Sequence, residues 1–201
     1  MRCGKPYMAS EKPLVPGGNF PPPSPSSDPL LALRCAPAIR PYLAEDVSLP
    51  AAVLVDALVV YHKIANAERI ALCDDTTFDV KISLDGRTLA TGSVPLNATA
   101  YAMPISLEGI APRKEAYELE CEATYAHTQT YCASAALSVL PNPAHGGSVT
   151  KMDLRTGALL ARPANGRGGP YEPVFPIGFF TNLDGYLASN LSLIDELKEQ
   201  G

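Results

Sequence analysis

The chain has 201 residues, of which 46% are hydrophobic and 18% charged, with a net charge of −5 and a pI near 5.2. That length supports one or two domains, and that apolar content excludes wholesale disorder. No Lys/Arg cluster is interleaved with aromatics, which excludes nucleic acid as the main partner.

Eleven of the 20 prolines fall in the first 50 residues, so composition divides the chain. Residues 1–29 are rich in Pro, Ser and Gly. Proline fixes φ and removes backbone donors, so this stretch is expected to be a disordered leader, with Pro22-x-x-Pro25 as a weak proline-recognition motif. No apolar segment behind Met1–Ser10 forms a signal peptide. The most apolar run, Ala51–Tyr61, is interrupted by Asp56 and falls short of the roughly 20 residues a membrane span needs.

Residues 30–141 read as an antiparallel β-sandwich. Leu30–Ile39 is a first strand and Val53–Ile64 a second, with Val53, Val55, Ala57, Val59 and Tyr61 on its inner face. Asn66-Ala67-Glu68 is a turn before a short strand over Arg69–Cys73. In Thr76–Leu84, Phe78, Val80, Ile82 and Leu84 alternate with polar residues, the period of a strand with one buried and one wet face. Asp85-Gly86 suits a two-residue type I′ hairpin, whose central residues both need φ > 0. The return strand, Arg87–Val94, then places Ile82 opposite Leu89 and Val80 opposite Thr91. Tyr101–Leu107 follows as an edge strand, because Pro104 cannot donate to a ladder on both sides. Tyr117–Tyr125 is central, and Tyr131–Leu140 returns through Ala133, Ala135, Leu137 and Val139.

Leu107-x-Gly109-x-x-Pro112 followed by Tyr117-x-Leu119-x-Cys121-x-Ala123 resembles the corner before a late strand of fibronectin type III domains, which have an immunoglobulin-like sandwich. The resemblance covers residues 50–140. It implies that the Tyr117 hydroxyl ties back to the backbone upstream. The early strands lack the tryptophan of that family.

Residues 142–148, Asn142-Pro143-Ala144-His145-Gly146-Gly147-Ser148, read as a linker. In 149–201, Val149–Leu154 and Thr156–Leu160 are short strands, Arg162–Pro173 a loop, and Val174–Thr181 an apolar strand of the kind buried on both faces in parallel sheets. A helix follows, with Leu187, Leu191, Ile194 and Leu197 at helical spacing, Ser189 or Asn190 as cap and Gly201 as stop. Pro176-x-Gly178-Phe179-x-Thr181 with Leu197-Lys198-x-x-Gly201 resembles the opening of the (β/α)8 barrel of glycoside hydrolases, many of which carry an N-terminal β-sandwich. The resemblance implies that 149–201 are lead-in strands and the first βα unit of an incomplete barrel. It implies a carbohydrate partner bound through barrel strands beyond this chain, and a secreted protein. Phe179, Phe180, Thr181 and Asn182 would then lie at the barrel mouth, where such enzymes bind substrate.

The expected function is therefore that of a non-catalytic N-terminal part of a carbohydrate-active enzyme, with the sandwich as scaffold. The alternative is a self-contained sandwich module that binds a glycan or a protein. Retaining glycoside hydrolysis needs two carboxylates about 5–5.5 Å apart, and nothing pairs Asp184 with a second one. His62, His127 and His145 show no ligand spacing, and Ser106, Ser134 and Ser138 stand in no nucleophile motif. Glu118, Glu120 and Glu122 form an acidic stripe that reads as a solvated face, with cation binding the sharper alternative. No cofactor motif is visible.

Five cysteines, Cys3, Cys35, Cys73, Cys121 and Cys132, occur without a CxxC pair. They fit buried thiols or disulfides, and Cys121 and Cys132, in consecutive strands, are the disulfide candidates. Asn97-Ala98-Thr99 and Asn190-Leu191-Ser192 are N-glycosylation sequons.

Overall fold

The computed structural model describes residues 22–144, 149–162, 169–175, 188 and 190–200. The chain divides into two compact units, Met1–Asn142 and Pro143–Gly201. It is mainly β and antiparallel, as the alternating segments predict.

In the first unit, the strands are β1 (Pro25–Pro37), β2 (Ile39–Arg40), β3 (Tyr42–Leu43), β4 (Ala51–His62), β5 (Ala67–Arg69), β6 (Thr77–Leu84) and β7 (Arg87–Pro95), followed by β8 (Tyr101–Ile105), β9 (Tyr117–Tyr125), β10 (Gln129–Leu137) and β11 (Val139–Leu140). One four-stranded sheet has the order β5-β1-β4-β8, and another has β10-β9-β6-β7. β3 pairs in parallel with β11.

Both sheets face one core. Leu31, Leu33, Val53, Val55, Ala57 and Met103 from the first sheet join Phe78, Val80, Ile82, Leu119, Ala123 and Tyr125 from the second, all buried. Phe78 packs its ring against Tyr125 at 5.0 Å and edge-on to Tyr131 at 6.5 Å. Burial of each large side chain contributes about 1.5–3 kcal/mol, so this cluster carries the unit.

Several expectations are met. The Tyr117–Tyr125 strand has the expected bounds, and its burial alternates without a break from Tyr117 to Ala123. Pro104 sits in the edge strand β8. Asp85 and Gly86 have φ of 48° and 78°, the left-handed pair that a type I′ turn requires.

Other expectations need correction. β1 begins at Pro25, inside the Pro/Ser-rich stretch, and its register with β4 shifts between Pro25 and Leu30. The rest of the expected leader, up to Pro21, lies outside the described residues. The short strand expected over Arg69–Cys73 is instead Ala67–Arg69, because Asn66 takes the turn with φ of 62°. In the β6–β7 hairpin, a bulge between Ile82 and Ser83 shifts the register, so that Ile82 faces Ala90 and Val80 faces Gly92. One extra residue on the β7 side therefore undoes simple counting from the turn.

In the second unit, β12 (Lys151–Asp153), β13 (Ala158–Ala161) and β14 (Glu172–Val174) form an antiparallel meander. A helix, α1 (Ser192–Gln200), follows. Among the described residues this is not a βα barrel unit. The strand expected to be buried on both faces contributes only Val174, at the end of an antiparallel and exposed β14, and Phe175 after it is 87% exposed. Residues 176–181 of that expected strand lie outside the described residues. The helix starts at Ser192, later than the expected stripe from Leu187. Asn190 accepts from the Ser192 backbone N–H at 3.2 Å in a turn just before it, and Leu191, ahead of the helix, and Ile194, within it, are exposed.

Candidate functional site

The outward face of β6, β9 and β10 holds the densest set of polar side chains singled out from the sequence. Strand parity places them there. Tyr117, Leu119, Cys121 and Ala123 point into the core, so Glu118, Glu120 and Glu122 point out, and all three are exposed. Across the ladders, Lys81 stands opposite Glu122, and Ser83 opposite Glu120. Cys132 and Ser134 stand opposite Glu122 and Glu120 on the other side. The Ser83 hydroxyl donates to Glu120 Oε2 at 3.4 Å. A shallow groove of about 480 Å³ runs over Lys81, Ser83, Glu120, Glu122, Cys132 and Ser134. Side chains two apart on one strand are separated by about 6.6 Å, so the three glutamates line up without converging on one point. Such a row can accept hydrogen bonds from hydroxyls along an extended ligand. Among the described residues no group of three or more His, Cys, Asp or Glu is arranged to hold a metal ion.

The other candidates scatter. His127 lies in the β9–β10 turn, with Nδ1 4.0 Å from Asp79 Oδ2 and both side chains exposed. His62 ends β4, and His145 is outside the described residues. Ser106 accepts from the Glu108 backbone N–H at 3.2 Å, a local turn contact. The barrel-mouth residues Phe179, Phe180, Thr181 and Asn182, and Asp184 after them, also lie outside the described residues.

The cysteine pairing differs from expectation. Cys121 is bonded to Cys35, and Cys132 is free and exposed. Parity is the reason. Cys121 faces Ala133 and Cys132 faces Glu122, so the two candidates point to opposite sides of one sheet. Cys35 follows Leu31 and Leu33 on the inner face of β1, which brings it to Cys121 from the other sheet. The bond therefore crosses the core.

Residues that sequence reading passed over do the most to hold the loops. Tyr125, inside the core, accepts at its hydroxyl from the Cys73 backbone N–H at 3.3 Å, and that hydroxyl lies 2.8 Å from the Asp75 carbonyl. Gln129 donates to the Ala71 carbonyl at 2.8 Å and accepts from the Ala71 N–H at 2.7 Å, like one rung of a ladder. The Tyr131 hydroxyl donates to the Arg69 carbonyl at 3.0 Å. Three side chains of the β9–β10 hairpin thus pin the crossover between the sheets. Burial raises the phenol pKa of Tyr125 and Tyr131, with the Cys73 side chain adding to the first and the Glu68 charge to the second. Tyr117 was anticipated: its hydroxyl donates to the Ala111 carbonyl at 2.7 Å, and the Arg113 guanidinium lies 3.5 Å from its ring centre.

In the second unit, Asp153 accepts two hydrogen bonds from the Arg155 guanidinium at 2.8 and 2.9 Å. Those bonds hold its carboxyl below the ordinary value of 3.8, against the opposing effect of burial. Lys151 and Arg162 place their charges 3.8 and 4.7 Å from the centre of the Tyr171 ring.

No protein-family model, curated protein or solved structure matches the chain. Among the described residues no helix is long and apolar enough to cross a membrane.

Proposed function

We propose that the first unit is a fibronectin type III/immunoglobulin-like sandwich serving as a non-catalytic scaffold within a carbohydrate-active enzyme. The observation that carries the scaffold role is the Cys35–Cys121 bond across a filled core. A crosslink between the sheets stabilises the folded unit, chiefly by constraining its unfolded chain, which suits a part that holds its shape. Two features support the fold assignment. In one sheet β4 lies between β1 and β8, while β6 and β7 join β9 and β10 in the other, an order that fits a Greek-key sandwich. The Tyr117 hydroxyl bond supplies the corner contact of that fold. The disulfide is a departure, because antibody domains join other strands. The link to carbohydrate chemistry rests on the glycoside-hydrolase resemblance of the sequence at Pro176–Thr181 and Leu197–Gly201, and the antiparallel β12–β14 meander adds nothing to it.

The test is to assay the purified chain against a panel of aryl glycosides and polysaccharides, and to titrate the same oligosaccharides by calorimetry. The scaffold reading expects no turnover and no saturable binding. Turnover in pure material would overturn it.

A second reading has one observation in its favour. The groove over Glu120, Glu122, Lys81 and Ser134 offers donors and acceptors at strand spacing on an exposed face. A binding module of this kind predicts saturable glycan binding that weakens at least tenfold in Glu120→Gln, with the fold unchanged.

A further inference from the structure

The loop between β7 and β8 holds the sequon Asn97-Ala98-Thr99, and its position in the sheet gives it a second significance. β8 covers the edge of β4 only from Ala51 to Val55. Beyond that point the loop takes its place. The Asn97 N–H donates to the Ala57 carbonyl at 2.8 Å, and the Ala57 N–H donates to the Ala98 carbonyl at 3.0 Å. The Val59 N–H donates to Asn97 Oδ1 at 2.9 Å, and the Ala100 N–H to Asp56 Oδ1 at 2.7 Å. The sequon therefore covers β4 at Ala57 and Val59 and itself forms the outer edge of the first sheet there, in line with β8.

We propose that Asn97 carries an N-linked glycan that guards this edge. The contact with β4 uses the carboxamide oxygen, whereas N-glycosylation modifies the carboxamide nitrogen. A glycosylated Asn97 keeps its carbonyl and so keeps the bond to Val59. Asn97 and Thr99 are both exposed. Asn97 has φ of 63°, a conformation that asparagine tolerates, so the turn accounts for the asparagine without a glycan. It does not account for Thr99, whose hydroxyl completes the acceptor triplet. The Cys35–Cys121 bond is an independent pointer to an oxidising compartment, the setting of N-glycosylation. An unpaired strand edge invites pairing with another chain, and native proteins cover or block such edges.

In the transfer, a bond forms between Asn97 Nδ2 and C1 of an oligosaccharide. The bond from C1 to the diphosphate of its lipid carrier breaks, the diphosphate leaves with the electron pair, and one Nδ2 proton goes to a base of the transferase. No oxidation or reduction is involved.

The test uses the full chain in a eukaryotic host behind a cleavable leader, with N190Q leaving Asn97 as the remaining sequon. Total cell material is analysed, so secretion is not required. The expected result is an oligosaccharide mass on the peptide containing Asn97, removed by peptide N-glycosidase. T99A abolishes it while sparing every Asn97 contact named above, and T99S retains it. An unmodified Asn97 in material whose peptide map shows the Cys35–Cys121 link would overturn the proposal. Compared with the glycosylated chain, the unglycosylated T99A variant should scatter several-fold more light on concentration, and unchanged scattering would refute the guarding role.

Discussion

Reducing the Cys35–Cys121 bond tests the central claim about the fold. The two cysteines are 86 residues apart, so the bond restricts most of the first unit when it unfolds. The chain-entropy relation, about −2.1 − 1.5R ln n cal/mol/K, gives about 4.6 kcal/mol at 25 °C for n of that size. The thiols left behind are buried and act as small apolar groups, so no cavity cost adds to this. With a urea m-value of about 2 kcal/mol/M, the midpoint should fall by about 2 M. The assay is urea unfolding of oxidised and reduced chain, followed by tyrosine fluorescence, with C132S as control. Because Cys132 is exposed and free, that substitution should leave the midpoint in place. A shift below about 0.5 M on reduction would refute the entropic argument. A peptide map joining Cys121 to Cys132 would refute the pairing itself.

Tyr117→Phe removes the bond to the Ala111 carbonyl but keeps the ring, so it should cost about 1 kcal/mol in urea unfolding, while Tyr117→Ala should cost several times more. Gln129→Ala removes both bonds to Ala71 and should raise hydrogen exchange over residues 69–75 with little change in the core amides. The phenols of Tyr125 and Tyr131 are raised in the folded state, so their stabilisation is complete below the ordinary value of 10.0 and is lost as pH rises through the folded values. Tyrosinate absorbance should therefore show a late step that coincides with alkaline unfolding and shrinks in the Tyr125→Phe, Tyr131→Phe double variant. Asp153 behaves in the opposite sense: with its folded pKa below 3.8, its contribution is present above that value and lost as pH falls through the folded one. Amide protection in Lys151–Ala161 should fall in acid for the parent and lose that dependence in Asp153→Asn.

The alternation of Phe78, Val80, Ile82 and Leu84, and of Tyr117 through Ala123, made the core strands legible, because burial on one face imposes a period of two. Register was less legible. The Asp85-Gly86 turn was clear, but the bulge after Ile82 leaves no mark in composition. The start of β1 at Pro25 was hidden for a related reason. Proline is tolerated where a strand's donor faces away from its neighbour, and composition cannot reveal which way a donor faces.

The cysteine pairing was legible in a way the residue spacing concealed. Nearness in sequence favoured Cys121 with Cys132, yet strand parity alone separates them. Cys121 belongs with Leu119 and Ala123 on the buried face, whereas Cys132 falls between Tyr131 and Ala133 and must point the other way. Cys35 shares the inward parity of Leu31 and Leu33. What parity cannot supply is the facing strand in the second sheet, since that depends on how the sheets stack. The same limit governs the loop-pinning side chains. Tyr125, Gln129 and Tyr131 reach backbone groups 50 to 62 residues away, and no local pattern announces a bond to a distant carbonyl. Asn97 is the intermediate case. Its sequon is visible in three letters, but its place on the sheet edge follows only once β4 and β8 are paired. An acceptor triplet in a loop is a chemical possibility; one that forms the outer edge of a sheet also has a physical use for the group it would carry.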